Sequence, residues 1–171
     1  MKIKFREIPE EGLRLAVKDE SWFPEEEVVA HGPVGATIFL ESKGGERVFL
    51  EGQLQTAVTL RCDRCLREYE WSLDDTFAID LEVAPDWGEE GAEHACGAAE
   101  MDTMQLENPE VDINQVLRQQ VLLMIPEKRV CAADCRGLCP KCGADLNVAA
   151  CACDQKAGRS PFEVLASLKK Q

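Results

Sequence analysis

The chain has 171 residues, of which 45% are hydrophobic, which predicts one folded domain with its own core rather than a disordered chain. Its net charge of −13 argues against general affinity for nucleic acid or anionic membranes, and no apolar run approaches the roughly 18 residues of a membrane span. The first residues show no apolar signal-peptide region, so we expect a cytoplasmic protein with reduced thiols.

Polar and apolar residues alternate through most of the first half of the chain, which is typical of strands with one buried face. Residues 1–84 are therefore predicted to be a β-rich domain, either an antiparallel sheet or a small β-barrel. A Gly-Gly turn at residues 43–46 joins two of the strands. The predicted strands are Lys2–Ile8, Leu13–Val17, Ala36–Glu41, Arg47–Gln53, Leu54–Arg61 and Glu68–Val83.

Acidic residues are concentrated in the middle of the chain. Between Glu68 and Leu117 there are fifteen Asp or Glu residues and no Lys or Arg, whereas residues 118–171 carry nine bases and five acids. Within this acidic region, residues 85–108 show little apolar periodicity and are predicted to form a solvated loop. We interpret the loop as a linker; the alternative is a docking surface for a basic partner, or a mimic of nucleic-acid charge.

Two helices are predicted after the acidic loop. Apolar residues recur at helical spacing after Asp112, and Pro126 ends the pattern, which predicts a helix over residues 112–125. The segment Ser160–Glu163 has an N-terminal capping pattern and predicts a short terminal helix. The predicted fold class is α+β, with residues 109–171 forming a helix and a Cys-rich segment that packs on the β-rich domain.

Nine cysteines in a chain with reduced thiols point to a metal before disulfides. Cys139 and Cys142 form a C-x-x-C pair before a glycine, and Cys151 and Cys153 follow after eight intervening residues. Four such thiolates can enclose one tetrahedral ion, so the sequence predicts a zinc site. Iron or an iron–sulfur cluster is the lesser alternative.

Four further cysteines lie in two pairs, Cys62 with Cys65 and Cys131 with Cys135. They predict a second zinc site that would pin the C-terminal segment onto the sheet. In the alternative, Cys131 or Cys135 replaces a member of the first site and leaves Cys62 and Cys65 as a free dithiol. Cys96, in the acidic loop, is interpreted as a spare thiol.

The sequence shows no constellation typical of an enzyme. Neither His31 nor His94 has a catalytic context, and there is no nucleophile elbow, P-loop or dinucleotide-binding turn. Four thiolate ligands also close the position that a catalytic zinc keeps open for water. We therefore expect a protein that is not an enzyme and has no small-molecule substrate.

The ordered set of cysteine motifs resembles the YceD family of large ribosomal RNA subunit accumulation proteins. The resemblance rests on Arg61–Leu66 after a β-rich half, on Leu122–Pro126, on Cys131–Asn147, on Cys151–Cys153 and on Ser160–Lys169. It implies a bacterial, non-enzymatic factor that supports accumulation of 23S rRNA and biogenesis of the large ribosomal subunit.

Basic residues surround both groups of cysteines. If the two groups meet, these residues form a local positive face that could contact phosphates of rRNA or of a pre-ribosomal particle, while the acidic loop engages a basic ribosomal protein. In the alternative, the bases only offset the negative charge of metal-bound thiolates. The candidate RNA contacts are Arg61, Arg64, Arg67, Lys128, Arg129, Arg136 and Lys141.

The sequence is consistent with two other functions. Thiolate-rich zinc sites can lose their metal on oxidation, which would suit a redox-switched chaperone. The protein could also be a zinc-dependent adaptor that docks other proteins through the acidic loop.

Overall fold

The computed structural model describes residues 1–84 and 103–153, and the terminal helix predicted from Ser160 lies outside these residues. The described residues form eight strands, one α-helix and a single 3-10 turn at Phe5–Glu7. The strands are β1 (Lys2–Lys4), β2 (Leu13–Val17), β3 (Val29–Ala30), β4 (Gly35–Gly44), β5 (Arg47–Arg61), β6 (Glu68–Val83), β7 (Thr103–Leu106) and β8 (Glu110–Asp112), and the helix α1 is Ile113–Met124.

The main sheet has the order β2-β4-β5-β6-β7, and β3 pairs with the C-terminal end of β5. The four pairings of this sheet within residues 1–84 are antiparallel, as predicted for that part of the chain, whereas β7, which lies beyond it, runs parallel to β6 and makes the whole sheet mixed. Strand β7 also lies within residues 85–108, which were predicted as loop. Met104 and Leu106 pack against the core, and this contact outweighs the weak local pattern.

The sheet is open rather than closed into a barrel, since β2 and β7 are its two edges in the described part of the chain. Its apolar face is covered by α1 and by the small β1–β8 ladder instead of by the sheet itself. Helix α1 buries Ile113, Val116, Leu117 and Val121 in the same hydrophobic cluster as the strands. The predicted β-rich domain and the helix therefore share one core.

Strands β5 and β6 form a long hairpin that positions the first cysteine pair. Every second residue of β5 is buried along its whole length, so the two strands predicted at Arg47–Gln53 and Leu54–Arg61 are one strand. The register pairs Arg61 with Glu68, which leaves residues 62–67 as the hairpin tip. Cys62 and Cys65 lie in this tip.

The helix predicted over residues 112–125 is confirmed, with Asp112 as its N-cap and Ile125 as its C-cap. The Asp112 carboxylate accepts a hydrogen bond from the Asn114 backbone N–H at 3.0 Å and lies 3.3 Å from the amino group of Met1. This carboxylate satisfies one of the N–H groups that a helix start leaves without an intrahelical partner.

We expect Asp112→Ala to destabilise the protein by about 1 kcal/mol, because loss of the side chain leaves that N–H group without its cap. Urea unfolding of the purified protein measures the change. Asp80→Ala is the matched control, since Asp80 is exposed on β6 and caps no helix. Equal midpoints for the two variants would contradict the assigned capping role.

Candidate metal centres

The first group of cysteines joins the hairpin tip to the segment after α1, and we call it the hairpin tetrad. It consists of Cys62, Cys65, Cys131 and Cys135, whose sulfur atoms all lie within 4.8 Å of one another. The Cys62 and Cys135 sulfurs are 3.8 Å apart, and those of Cys65 and Cys131 are 3.7 Å apart. Two distant parts of the sequence thus converge on one point.

The second group, the C-terminal tetrad, consists of Cys139, Cys142, Cys151 and Cys153, and its sulfurs also lie within 4.8 Å of one another. The cysteines therefore form two separate groups of four, and the sulfurs of Cys131 and Cys135 lie beside the hairpin tip rather than in the C-terminal tetrad. Cys96 lies outside the described residues.

Each tetrad has the dimensions of a site for one metal ion. A regular tetrahedron with metal–sulfur bonds of about 2.3 Å has sulfur–sulfur edges of about 3.8 Å, which is the separation of the closest pairs in the hairpin tetrad. A disulfide would bring two sulfurs to about 2.05 Å, and all eight described cysteines are free thiols. An iron–sulfur cluster spreads its cysteines over several irons, which suits the compact groups less well.

The turn of the hairpin directs both of its sulfurs to one side. The Cys62 N–H donates to the Arg67 carbonyl and the Leu66 N–H donates to the Cys62 carbonyl, each at 2.9 Å. Leu66 has a φ of 61° and is the one non-glycine residue with positive φ in the described chain. A side chain in the left-handed region costs about 1–2 kcal/mol, so the surrounding contacts must hold this turn in place.

Within each tetrad the pKa values of the thiols diverge. Burial raises the pKa of Cys62, but backbone N–H groups of Cys131 and of the hairpin tip outweigh it and lower the pKa to about 6. Burial and neighbouring thiols raise the pKa of Cys131 to about 12. In the C-terminal tetrad, backbone N–H groups lower the pKa of Cys139 to about 6, while a hydrogen bond with Cys142 and burial raise that of Cys153 to about 12. Four thiolates therefore require a cation among them.

Main-chain and side-chain hydrogen bonds fasten the segment after α1 to the hairpin tip. The Asp63 N–H donates to the Arg129 carbonyl at 2.7 Å, and the Asp63 carboxylate accepts the Arg129 N–H at 2.8 Å. The Leu138 N–H donates to the Arg64 carbonyl at 3.1 Å, and the Arg64 guanidinium donates to the Cys135 carbonyl at 2.9 Å. These bonds supplement the four sulfurs as cross-links.

The loop between the two tetrads is held by two polar residues that the sequence analysis missed. Asp145 pairs with Arg67 at 3.1 Å and accepts the Asn147 N–H at 2.9 Å. The Asn147 side chain accepts the Arg136 N–H at 2.7 Å and donates to the Cys135 sulfur at 3.5 Å. The Asp-Leu-Asn motif, an Asx-turn pattern, is the signal that could have indicated them.

All seven candidate RNA-contacting residues are exposed and flank the two tetrads. Three of these side chains have partners within the protein: Arg61 donates to the Leu66 carbonyl, Arg64 donates to the Cys135 carbonyl, and Arg67 forms an ion pair with an aspartate. The other four side chains have no hydrogen bond or ion pair with any residue of 1–84 or 103–153. These four are Lys128, Arg129, Arg136 and Lys141, and their contact with RNA stays a prediction.

Within residues 1–84 and 103–153, the fold and the site define a mixed sheet covered by one helix, with two four-cysteine groups that could each hold a metal ion. The chain belongs to the YceD family: the model described as "Large ribosomal RNA subunit accumulation protein YceD" matches residues 50–169. The match begins in β5 and includes both tetrads. The resemblance noted from the motifs is thereby confirmed.

Two plant proteins are similar to most of the chain. One from Arabidopsis thaliana is 28% identical over 146 residues, which is 74% of this chain and 46% of that protein. One from Zea mays is 30% identical over 155 residues, or 77% of this chain and 53% of that protein. Both are named "Large ribosomal RNA subunit accumulation protein YCED homolog 1, chloroplastic". The chain spans about half the length of these relatives.

The comparison with solved structures gives no match. No helix in the described ranges is both long and apolar enough to cross a membrane.

Proposed function

We propose that this protein is a non-enzymatic, zinc-binding factor that supports accumulation of 23S rRNA and biogenesis of the large ribosomal subunit. Membership of the YceD family supports the ribosomal role. The two compact groups of four thiols support zinc, which favours closed tetrahedral sites with sulfur ligands. Four cysteine ligands leave no open position for water, which favours a structural over a catalytic ion.

In this proposal, zinc in the hairpin tetrad fastens residues 128–138 onto the tip of the long hairpin. The segment contributes few apolar contacts of its own there, chiefly Val130 and Leu138 beside the buried sulfurs. The ion would supply the positive charge that lets all four sulfurs ionise, and the cysteines would supply the cross-link. The exposed bases next to the tetrads are thereby held at one end of the molecule.

We further propose that these bases contact rRNA phosphates in a pre-ribosomal particle within a bacterial cytoplasm. The four bases without a side-chain partner in the described part of the chain are the best candidates, since their charge is available to a ligand. The acidic residues of β6 lie along the strand that leads away from the hairpin tip, so the molecule combines a basic end with an acidic body. A basic ribosomal protein that binds residues 85–108 completes the proposed set of partners, with no membrane or small molecule among them.

We expect Arg136→Gln combined with Lys141→Gln to weaken binding to a 23S rRNA transcript. Because each phosphate contact releases counterions, loss of two contacts lowers the slope of log affinity against log salt by about 2. Filter binding of the zinc-loaded chain over a series of KCl concentrations measures both quantities.

Arg6→Gln combined with Lys18→Gln is the matched control for the RNA experiment. It removes the same charge from two exposed bases that lie in other parts of the chain. An equal loss in both variants would show a net-charge effect and contradict the proposed contact. Binding to ribosomal proteins that survives both changes but is lost on deletion of residues 85–102 would instead identify the adaptor function.

A further inference from the structure

The two tetrads differ sharply in solvent exposure. In the hairpin tetrad, Cys62 is 0%, Cys65 is 3% and Cys135 is 5% exposed, and Cys131 is half-buried. In the C-terminal tetrad only Cys139 is buried. The rest of that tetrad is open: one sulfur-bearing residue is exposed and two are half-buried.

The surroundings of the two tetrads differ in the same direction. Tyr69, Val130 and Leu138 pack against the hairpin tetrad and cover its sulfurs. The C-x-x-C turn of the C-terminal tetrad projects into solvent, since Pro140 and Lys141 are both exposed. A reagent can therefore reach the C-terminal tetrad without any rearrangement of the core.

Hydrogen bonds also hold the hairpin tetrad together more firmly than the C-terminal tetrad. The two halves of the hairpin tetrad are joined by hydrogen bonds from Asp63, Arg64 and Leu138, so a sulfur that leaves the ion stays within reach and rebinds. The last pair of the C-terminal tetrad, Cys151 and Cys153, has no main-chain hydrogen bond to the other described residues. A sulfur that leaves the ion there is therefore held less close to it and rebinds less readily.

We propose that the C-terminal tetrad is the thiol-reactive, metal-exchanging site of this protein, with Cys142, its one exposed cysteine, the first to react, while the hairpin tetrad keeps its metal. The inference rests on the metal occupancy in the proposed function. It assigns different chemistry to two sites that each consist of four cysteines.

Hydrogen peroxide is the oxidant for which the reaction is written. The Cys142 thiolate attacks one peroxide oxygen, the O–O bond breaks, and the departing hydroxide takes a solvent proton to give water. A second thiolate of the tetrad, within 4.8 Å, then attacks the sulfenic sulfur and expels a second hydroxide, which is also protonated to water. Two thiolates lose two electrons to form one disulfide, and the peroxide gains them.

Two thiolates remain in the oxidised C-terminal tetrad, too few to retain a tetrahedral ion, so release of one equivalent of metal is the measurable result. The chain up to Leu138 stays fixed by the hairpin tetrad. The exposed base Lys141 lies between two of the reacting cysteines and loses its fixed position. Oxidation would thus alter one side of the basic end without unfolding the protein.

The experiment uses the full chain purified with its metal, whose zinc content is measured first. Peroxide is then added while a chromogenic chelator reports released zinc, and disulfides are mapped by mass spectrometry. We expect one zinc to leave at least tenfold faster than the other, with the first disulfide among Cys139, Cys142, Cys151 and Cys153. Cys142→Ser should bind one zinc fewer and lose the fast phase, whereas Cys131→Ser should keep it.

Each other outcome decides for or against the inference in a recognisable way. Two zinc ions released at one rate, or a first disulfide within the hairpin tetrad, would overturn it and leave the proposed metal sites intact. A chain with no metal would overturn both the inference and the proposed zinc binding. For a chain with one zinc, protection of cysteines from alkylation decides: a protected C-terminal tetrad contradicts the inference, and a protected hairpin tetrad supports it.

Discussion

Replacement of Cys62 by serine should release the segment after α1 from the hairpin while the β-sheet and helix remain folded. The Cys62 sulfur is fully buried and lies 3.8 Å from that of Cys135. Serine would leave the ion with three thiolates and a poor fourth ligand, and the Cys131 N–H would lose the sulfur that accepts its hydrogen bond. Limited proteolysis with mass mapping should show new cleavage across residues 128–153.

The size of this effect follows from how little else holds the segment. Structural zinc in small peptides binds with apparent free energies of about 10–16 kcal/mol at neutral pH, far more than a few hydrogen bonds of about 1 kcal/mol each. Among the described residues, the other support for the segment is a small cluster of side chains beside the sulfurs. Thermal unfolding of the sheet should therefore change little, because the main core contains none of the tetrad cysteines.

Cys142→Ser is the matched control for this prediction. It makes the same chemical change in the exposed tetrad and should expose only residues 139–153, with loss of one zinc. Cleavage confined to that range in both variants would mean that hydrogen bonds, rather than the metal, hold the hairpin to the segment. Chelation of both ions from the unaltered chain should reproduce the pattern of the Cys62 variant.

The sequence predicted the local elements of the fold better than their arrangement. The alternation of polar and apolar residues located β5 and β6, because more buried and more exposed residues alternate over many positions of each strand. The apolar spacing located helix α1. Strand β7 has only four residues, too few for a pattern, and it pairs in parallel with a strand about twenty residues earlier in the chain. Such pairing depends on tertiary contacts that a local pattern does not contain.

The cysteines were predictable as metal ligands because their spacing is dense and regular, but their grouping depended on where the chain folds. Cys62 and Cys131 are 69 residues apart, and the sequence left open whether they meet. In the structure they meet. The register of the β5–β6 hairpin places Cys62 at its tip, and the segment that follows α1 brings Cys131 to the same place. The supporting polar residues were missed because no local pattern shows that Arg67 and Asp145 lie together.

The structure also separates two kinds of basic residue that the sequence treated as one. Arg64 and Arg67 bind a carbonyl and a carboxylate inside the protein, so their removal would disturb the loop as well as the charge. The pKa of Arg67 is raised by its hydrogen bond with Cys65 and by the nearby Asp145. Tests of RNA contact are therefore cleaner at Arg136 and Lys141, whose side chains have no such partners in the described residues.

Gly137→Ala should loosen the loop between the tetrads and lower the metal content of the C-terminal tetrad. Gly137 has a φ of +73°, and a Cβ atom there would lie 2.9 Å from the Arg64 carbonyl oxygen, which is backbone and cannot turn away. The same oxygen accepts the Leu138 N–H, and the Gly137 carbonyl accepts the Leu146 N–H at 2.9 Å. To relieve the clash, the loop at Gly137 would have to shift away from the hairpin, and this shift would weaken both hydrogen bonds.

Gly143→Ala separates the steric effect at Gly137 from the cost of the backbone conformation. Gly143 has nearly the same φ, +72°, but a Cβ atom there would have no neighbour within 4 Å. We expect it to cost about 1–2 kcal/mol, the penalty of a left-handed backbone alone. Gly137→Ala should cost about 2–5 kcal/mol, because overpacking adds to that penalty.

Hydrogen exchange across residues 136–147 and zinc content per chain measure the difference between the two glycine variants. Faster exchange and less zinc in the Gly137 variant, with a nearly unchanged Gly143 variant, would show that close approach of the loop to the hairpin carbonyl organises the second tetrad. Equal effects would show that only the left-handed conformation matters and that the two tetrads form independently. The pair thus decides whether the hairpin tip, which supplies two cysteines of its own tetrad, also shapes the neighbouring site.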